Sequence, residues 1–151
     1  MRVLMCVDME GISQLRSYRE LWGVFPEYEA TGRAAVTSDA VAALRGLKAG
    51  GASEITVCEV HGPVPGRIID LDELPGGATF IAQDELLALL ARTRVTYDGV
   101  FLLGWHARCG TPGAFMSHTG GLSLRIAVDG DPITEAHIWA WRAGVPVIGI
   151  T

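Results

Sequence analysis

The chain has 151 residues, is 49% hydrophobic and carries a formal net charge of −5. That suits one domain with its own core and excludes a disordered segment. It also argues against nucleic-acid binding by phosphate neutralisation, because Lys48 is the only lysine and the arginines are scattered. No apolar run approaches the roughly 20 residues that span a bilayer, and Met1 to Val7 meets Asp8 before it is long enough for a signal-peptide core. A cytoplasmic protein without membrane contact is expected. Cys6, Cys58 and Cys109 form no Cys-x-x-Cys pair, and their odd number argues against a disulfide framework. Cys6 and Cys58 read as small core residues. Cys109 reads as a loop thiol open to reaction.

In chain order, Val3 to Val7 is apolar without alternation, as in a strand buried on both faces. Residues 12–25 are mixed and predict loop or a short helix. Pro26 predicts a turn and Glu27 a helix start. Thr37, Ser38 and Asp39 either cap a second helix or continue the one begun near Glu27. Val41, Leu44 and Leu47 give that helix an apolar stripe, and Gly50-Gly51 ends it. Glu54 to Val60, with β-branched Ile55, Thr56 and Val57, predicts a strand that ends at His61. Gly62 to Gly66 holds two prolines and predicts a loop.

Ala78 to Ala82 predicts a short strand, Asp84 to Arg92 a helix and Gly99 to Leu103 a buried strand. Leu122 to Val128 alternates apolar and polar residues, the pattern of an antiparallel or edge strand. Asp129 to Pro132 predicts a turn, Ile133 to Gly144 a helix and Val145 to Ile150 a final buried strand. Strands alternating with helices give an α/β fold: one domain over 1–151, with a largely parallel sheet flanked by helices and room for an antiparallel edge strand.

Polar residues recur at the strand ends. Asp8 and Glu10 follow the first strand, His61 follows the second, and His106 follows the Gly99–Leu103 strand. In a parallel sheet these ends share one edge, where α/β folds bind ligands. Asp8 and Glu10, two apart, point to the same side of extended chain. They repel unless a proton or cation lies between them. With two imidazoles they form a mixed N/O set suited to zinc, and also to manganese, cobalt or iron. His118 ends a Gly/Pro-rich loop that starts at Gly104. Glu135, in the first turn of a helix, reads on its own as an acid favoured by the helix dipole. His137 reads as structural. Glu59 either orients a ligand or pairs with an arginine, and Arg108 either binds a substrate carboxylate or makes a structural ion pair. The tryptophans read as packing residues.

VDMEGIS at 7–13, the histidine at 61, GWHARCGTPGAFMSH at 104–118 and Glu135 followed by AWRAGVPV resemble the DppA-like zinc D-aminopeptidases of bacterial dipeptide-transport operons. The resemblance runs from the first residues to the last. It implies a binuclear zinc site formed by Asp8, Glu10, His61, His106 and Glu135, with Asp8 shared by both metals and His118 as the catalytic residue. It implies release of N-terminal D-residues from short peptides and assembly into ring-shaped homo-oligomers. Three features depart from the family. Its members continue past the point matching Thr151, Glu59 stands where Asp is usual, and Ala114-Phe115 lengthens the loop by one residue. Two other readings stand beside it: hydrolysis of another amide or a phosphoester at the same metals, the phosphoester disfavoured by the lack of a basic clamp, or an inactive, truncated member serving as a subunit.

Overall fold

The computed structural model describes residues 1–62, 67–92 and 97–151. The Pro/Gly stretch 63–66, expected as loop, lies outside the described residues. Five parallel strands form the main sheet in the order β3-β2-β1-β4-β7. They are β1 (Arg2–Val7), β2 (Glu54–Glu59), β3 (Ala78–Ile81), β4 (Gly99–Leu103) and β7 (Val147–Ile150). The central strand β1 has Val3 to Val7 at 0% exposure. Its apolar run is continuous because both faces are covered. Met5 and Val7 face the core beneath α1 (Arg33–Ala49), whereas Leu4 and Cys6 face the core of α2 (Gln83–Arg92) and α3 (Glu135–Ala143).

Register fixes where these strands stop. Val7 lies beside Glu59 of β2 on one side and Leu103 of β4 on the other. The Asp8 N–H then donates to Leu103 O at 2.9 Å and the Val60 N–H to Val7 O at 2.9 Å. The three segments that follow, beginning at Asp8, Val60 and Gly104, therefore leave the sheet side by side. This is the ligand-binding edge of an open α/β sheet.

Helical backbone begins at Pro26 and runs through a π-helical turn, Tyr28–Gly32, into α1. Thr37 is therefore inside a continuous helix, not at a second start. Its hydroxyl donates to Arg33 O at 2.8 Å and accepts the Asp70 N–H at 3.0 Å. The buried stripe runs through Val36, Ala40 and Leu44, with Val41 only half-buried at its margin.

Two expectations fail. The alternating stretch 122–128 is not a strand over its length. Only Ala127–Val128 (β5) pairs, antiparallel, with Asp131–Pro132 (β6), in a hairpin apart from the main sheet. Asp129 and Gly130 turn it with φ of 51° and 90°, the left-handed pair that tight hairpins favour. Leu122 and Leu124 are 73% and 50% exposed, so their alternation has no core to face. The Val145–Ile150 run does form a strand, β7, but at the sheet edge. Val147, Ile148 and Ile150 remain exposed there because β4 pairs with only one side of it. Among the described residues, no helix is long and apolar enough to cross a membrane.

This burial map predicts unequal costs for two leucines. Leu86→Ala, at a fully buried position, should lose about 2–5 kcal/mol in urea unfolding. Leu122→Ala should stay within about 0.5 kcal/mol. Equal losses would contradict the loop assignment of residues 122–126.

Candidate metal centre

The site begins with a close approach of two backbones. After β1 the chain turns over the end of β4, and the Gly11 N–H donates to Gly104 O at 2.8 Å. A Cβ on Gly11 would overlap the Trp105 carbonyl oxygen. One on Gly104, where φ is +72°, would overlap the Asp8 carbonyl oxygen. Glycine at both positions lets the Asp8–Glu10 segment lie against the segment carrying His106.

The side chains converge there. His61 Nδ1 lies 3.1 Å from Asp8 Oδ1 and 3.3 Å from Glu10 Oε2. His106 Nε2 lies 3.4 Å from Asp8 Oδ2 and 2.9 Å from Glu135 Oε2. His118 Nε2 is 3.7 Å from Glu135 Oε2 and 4.0 Å from Glu10 Oε1. Its ring stacks on that of His106 with centroids 3.6 Å apart. All six residues singled out in the sequence thus meet at one place, including Glu135 and His118, which only the family resemblance had implicated.

Each imidazole has one nitrogen committed to a backbone carbonyl: His61 Nε2 to Leu21 O at 3.2 Å, His106 Nδ1 to Ala107 O at 3.0 Å, and His118 Nδ1 to Met116 O at 2.7 Å. Those nitrogens carry the donating N–H. In the neutral rings the other nitrogens present lone pairs to carboxylate oxygens. Acceptors facing one another at these separations repel unless a proton or a cation lies between them. With the imidazoles neutral, nothing donates a hydrogen bond to the buried Glu10 Oε2 or His106 Nε2. In a tetrahedral zinc site, bonds of about 2.0–2.2 Å put neighbouring ligand atoms about 3.3–3.6 Å apart. Most of the separations here are close to that, and the oxygen and imidazole donors are of zinc-binding type.

Two triads have ligand atoms within 4.8 Å of one another: Asp8, Glu10 and His106, and His106, His118 and Glu135. Asp8 turns one oxygen toward His61 and the other toward His106, an arrangement able to bridge two ions. The backbone carbonyls that orient the imidazoles are the outer-shell partners such a centre needs.

Without a cation, protons hold the cluster together. Burial pushes the Asp8 carboxyl up to about 6, against the opposing pull of His61. Burial works the same way on Glu10, but hydrogen bonds with His61 and Asp8 outweigh it and hold Glu10 down at about 2. Burial would lower both imidazoles. Asp8 and Glu10 instead lift His61 to about 10, and the hydrogen bond to Glu135, with help from Ala107, lifts His106 to about 9. His106 in turn lowers Glu135. A divalent cation binding here would displace those imidazole protons.

The cluster opens into a cavity of about 1210 Å³, walled in part by Trp22, Phe80, Trp105, Met116 and Trp139. Asp8, Glu10, His61 and His106 have side chains no more than 7% exposed, whereas His118 and Glu135 are 21% and 25% exposed. His118 is thus the imidazole open to a ligand. Three of the four tryptophans, read from sequence as packing residues, form part of this wall; Trp141 is exposed.

Among the described residues Glu59 orients no histidine and makes no close ion pair, though the charges of Arg67 and Arg33 pull its carboxyl down against burial. Its Oε1 accepts the Ile69 N–H at 2.9 Å. Cys109 is buried and its thiol donates to Leu122 O at 3.1 Å, so it ties the loop together. His137 is structural, as expected. Its Nδ1 accepts the Thr134 N–H at 3.1 Å and caps the helix turn that carries Glu135. Arg108 is exposed and absent from the cavity wall. Sequence reasoning missed Arg67, which does line the cavity. It lies beside the Pro/Gly stretch and belongs to no motif.

The glycine contact is testable with an internal control. Gly104 and Gly113 share a φ of +72°, but a Cβ at Gly113 would meet nothing within 4 Å. Gly113→Ala should cost about 1–2 kcal/mol for the left-handed backbone alone. Gly104→Ala should cost about 1–3 kcal/mol more from overlap. Equal losses in urea unfolding would contradict the close approach.

Comparison with known proteins agrees with the fold. A D-aminopeptidase from Bacillus subtilis (strain 168) is 30% identical over 153 residues, covering 98% of this chain and 54% of that protein. The solved structure of Zn-dependent D-aminopeptidase DppA from Bacillus subtilis, described as a self-compartmentalizing protease, superposes with a TM-score of 0.86 at 28% identity. That match covers 99% of this chain and 55% of DppA. The chain therefore spans about half the length of the relatives it matches. The profile of the D-aminopeptidase family matches residues 1–151, and the chain belongs to that family.

Proposed function

We infer that the protein is a metal-dependent aminopeptidase that releases N-terminal, D-configured residues from short peptides. In this reading Asp8, Glu10, His61, His106 and Glu135 would hold zinc, two ions per chain. The observation that carries it is the buried set of imidazole and carboxylate lone pairs facing one another at 3.1–3.4 Å around Asp8 and Glu10, in a chain whose relative is Zn-dependent. Zinc bound there supplies Lewis acidity: it polarises a peptide carbonyl and lowers the pKa of water.

The chain's own residues do the rest. His118 donates its Nδ1–H to Met116 O, so Nε2 is the atom that takes or gives a proton beside the scissile bond. Stacking on His106 holds the ring in place. The peptide's free amine would lie at the cluster, held by one of its carboxylates or by the metal. The aromatic walls take up side chains and exclude water. By likeness to a self-compartmentalizing relative, the working form is a homo-oligomer, in a cytoplasmic setting. Phosphoester hydrolysis is disfavoured, because among the described lining residues Arg67 is the one Arg or Lys.

The test separates ligand from proton carrier. Purified protein should hold about two zinc ions per chain and lose turnover of D-Ala-D-Ala on chelation, regaining it when zinc is added back. L-Ala-L-Ala should be the poorer substrate. His118→Ala should keep its zinc while kcat falls about 10²–10⁴-fold. His106→Ala should lose both zinc and activity. Turnover indifferent to chelation would sink the metal reading, and zinc loss in His118→Ala would make His118 a ligand.

Zinc should also stabilise the fold. At a hundredfold excess over Kd the gain is about 2.7 kcal/mol, or roughly 5–11 °C in Tm for a chain of this size. Asp8→Ala should abolish that rise. An undiminished rise would place the zinc elsewhere.

A further inference from the structure

A short peptide has an amine at one end and a carboxylate at the other. The cluster accounts for the first. For the second, the cavity offers one permanent cation among its described lining residues, Arg67. The backbone that carries it is pinned from below. Tyr28 OH donates to Arg67 O at 3.2 Å, the Ile69 N–H donates to Glu59 Oε1 at 2.9 Å, and the Asp70 N–H donates to the Thr37 hydroxyl at 3.0 Å. Ile68 and Ile69 are buried, at 1% and 0% exposure. Arg67 itself is exposed. A fixed main chain thus presents a long cationic side chain to the cavity.

The guanidinium lies over the Phe80 ring, with Cζ 4.1 Å from the centroid, and Phe80 lines the same cavity. Stacking uses the face of the guanidinium and leaves its in-plane N–H fork free. Glu59, the acid on that wall, has Oε1 engaged by the Ile69 N–H. The Arg67 charge helps hold the Glu59 carboxyl down against burial, yet among the described residues no carboxylate makes a hydrogen bond to the guanidinium. A guanidinium fork with no carboxylate bonded to it is matched by a carboxylate taken up through two parallel hydrogen bonds.

The geometry points to Arg67 as the specificity residue that receives the C-terminal carboxylate of a short peptide whose amine end lies at the acidic cluster. This rests on the aminopeptidase reading and deepens it. Binding then requires a substrate short enough for its two ends to meet the cluster and Arg67 together. Longer chains and peptides with blocked C-termini lose the second anchor.

The experiment compares D-Ala-D-Ala with its C-terminal amide on zinc-loaded wild type, Arg67→Lys and Arg67→Gln. Wild type should favour the free acid in KM by about 10–100-fold, the range of hydrogen bonds to charged groups. Arg67→Gln should bring the acid-to-amide ratio close to one, and Arg67→Lys should retain part of it. The ratio is internal to each protein, so a loss of folded material cancels. If Arg67 merely braces Phe80, both substrates suffer alike and the ratio holds, which overturns the inference. A wild type blind to the amide overturns it too. Absence of turnover on either peptide counts against the aminopeptidase reading instead. Calorimetric binding of the acid and the amide then decides the role of Arg67 by the same ratio.

Discussion

The opposition of lone pairs around Asp8 is the constraint on which the rest of the structure depends. A buried carboxylate and two buried imidazoles within 3.1–3.4 Å of it are unstable as neutral or anionic neighbours. They become stable only when positive charge sits among them. The surroundings serve that requirement. Strand register ends β1, β2 and β4 at one level, so Asp8, His61 and His106 enter the same volume. Glycines at 11 and 104 allow the two backbones to touch. Carbonyls of Leu21, Ala107 and Met116 set which nitrogen of each imidazole faces inward.

The division of exposure follows from this arrangement. The four inner residues are sealed, and His118 and Glu135 sit at the boundary with the cavity. Sealed side chains of this kind would hold a cation without competing water. A boundary imidazole with a fixed tautomer is placed to exchange a proton with whatever occupies the cavity. Met116 contributes through its backbone as well as its side chain. At a φ of 45° it adopts a left-handed conformation uncommon for a bulky residue, and its carbonyl anchors the His118 ring. Local strain beside a reactive group is a familiar companion of function.

Much of this was legible in the sequence because a strand buried on both faces leaves an unbroken apolar run. The residue after such a run is conspicuous when it is Asp8, and His61, at the end of the neighbouring strand, then falls at the same level. The parallel sheet, its helices and four of the six site residues follow from that reading. Glu135 and His118 do not, since their approach depends on a long loop and on how α3 docks; the resemblance to the family, rather than spacing, supplied them. The alternation at 122–128 misled because period-two spacing specifies a face but not that anything covers it. The apolar run at Val147–Ile150 misled in the same way, as an edge strand without a second neighbour. Thr37 reads equally as a cap or as part of the helix begun near Glu27, and its hydroxyl bonds to backbone within that helix. Arg67 has no sequence signal at all, because its significance lies in which cavity wall it joins.

The account stands or falls on where zinc binds. Crystals grown with zinc and measured at its absorption edge should show anomalous peaks about 2.0–2.2 Å from the Asp8 carboxylate oxygens. His61 Nδ1 should complete one side of that site and His106 Nε2 the other. Peaks confined to the surface, with Asp8 and both imidazoles free of metal, would contradict it.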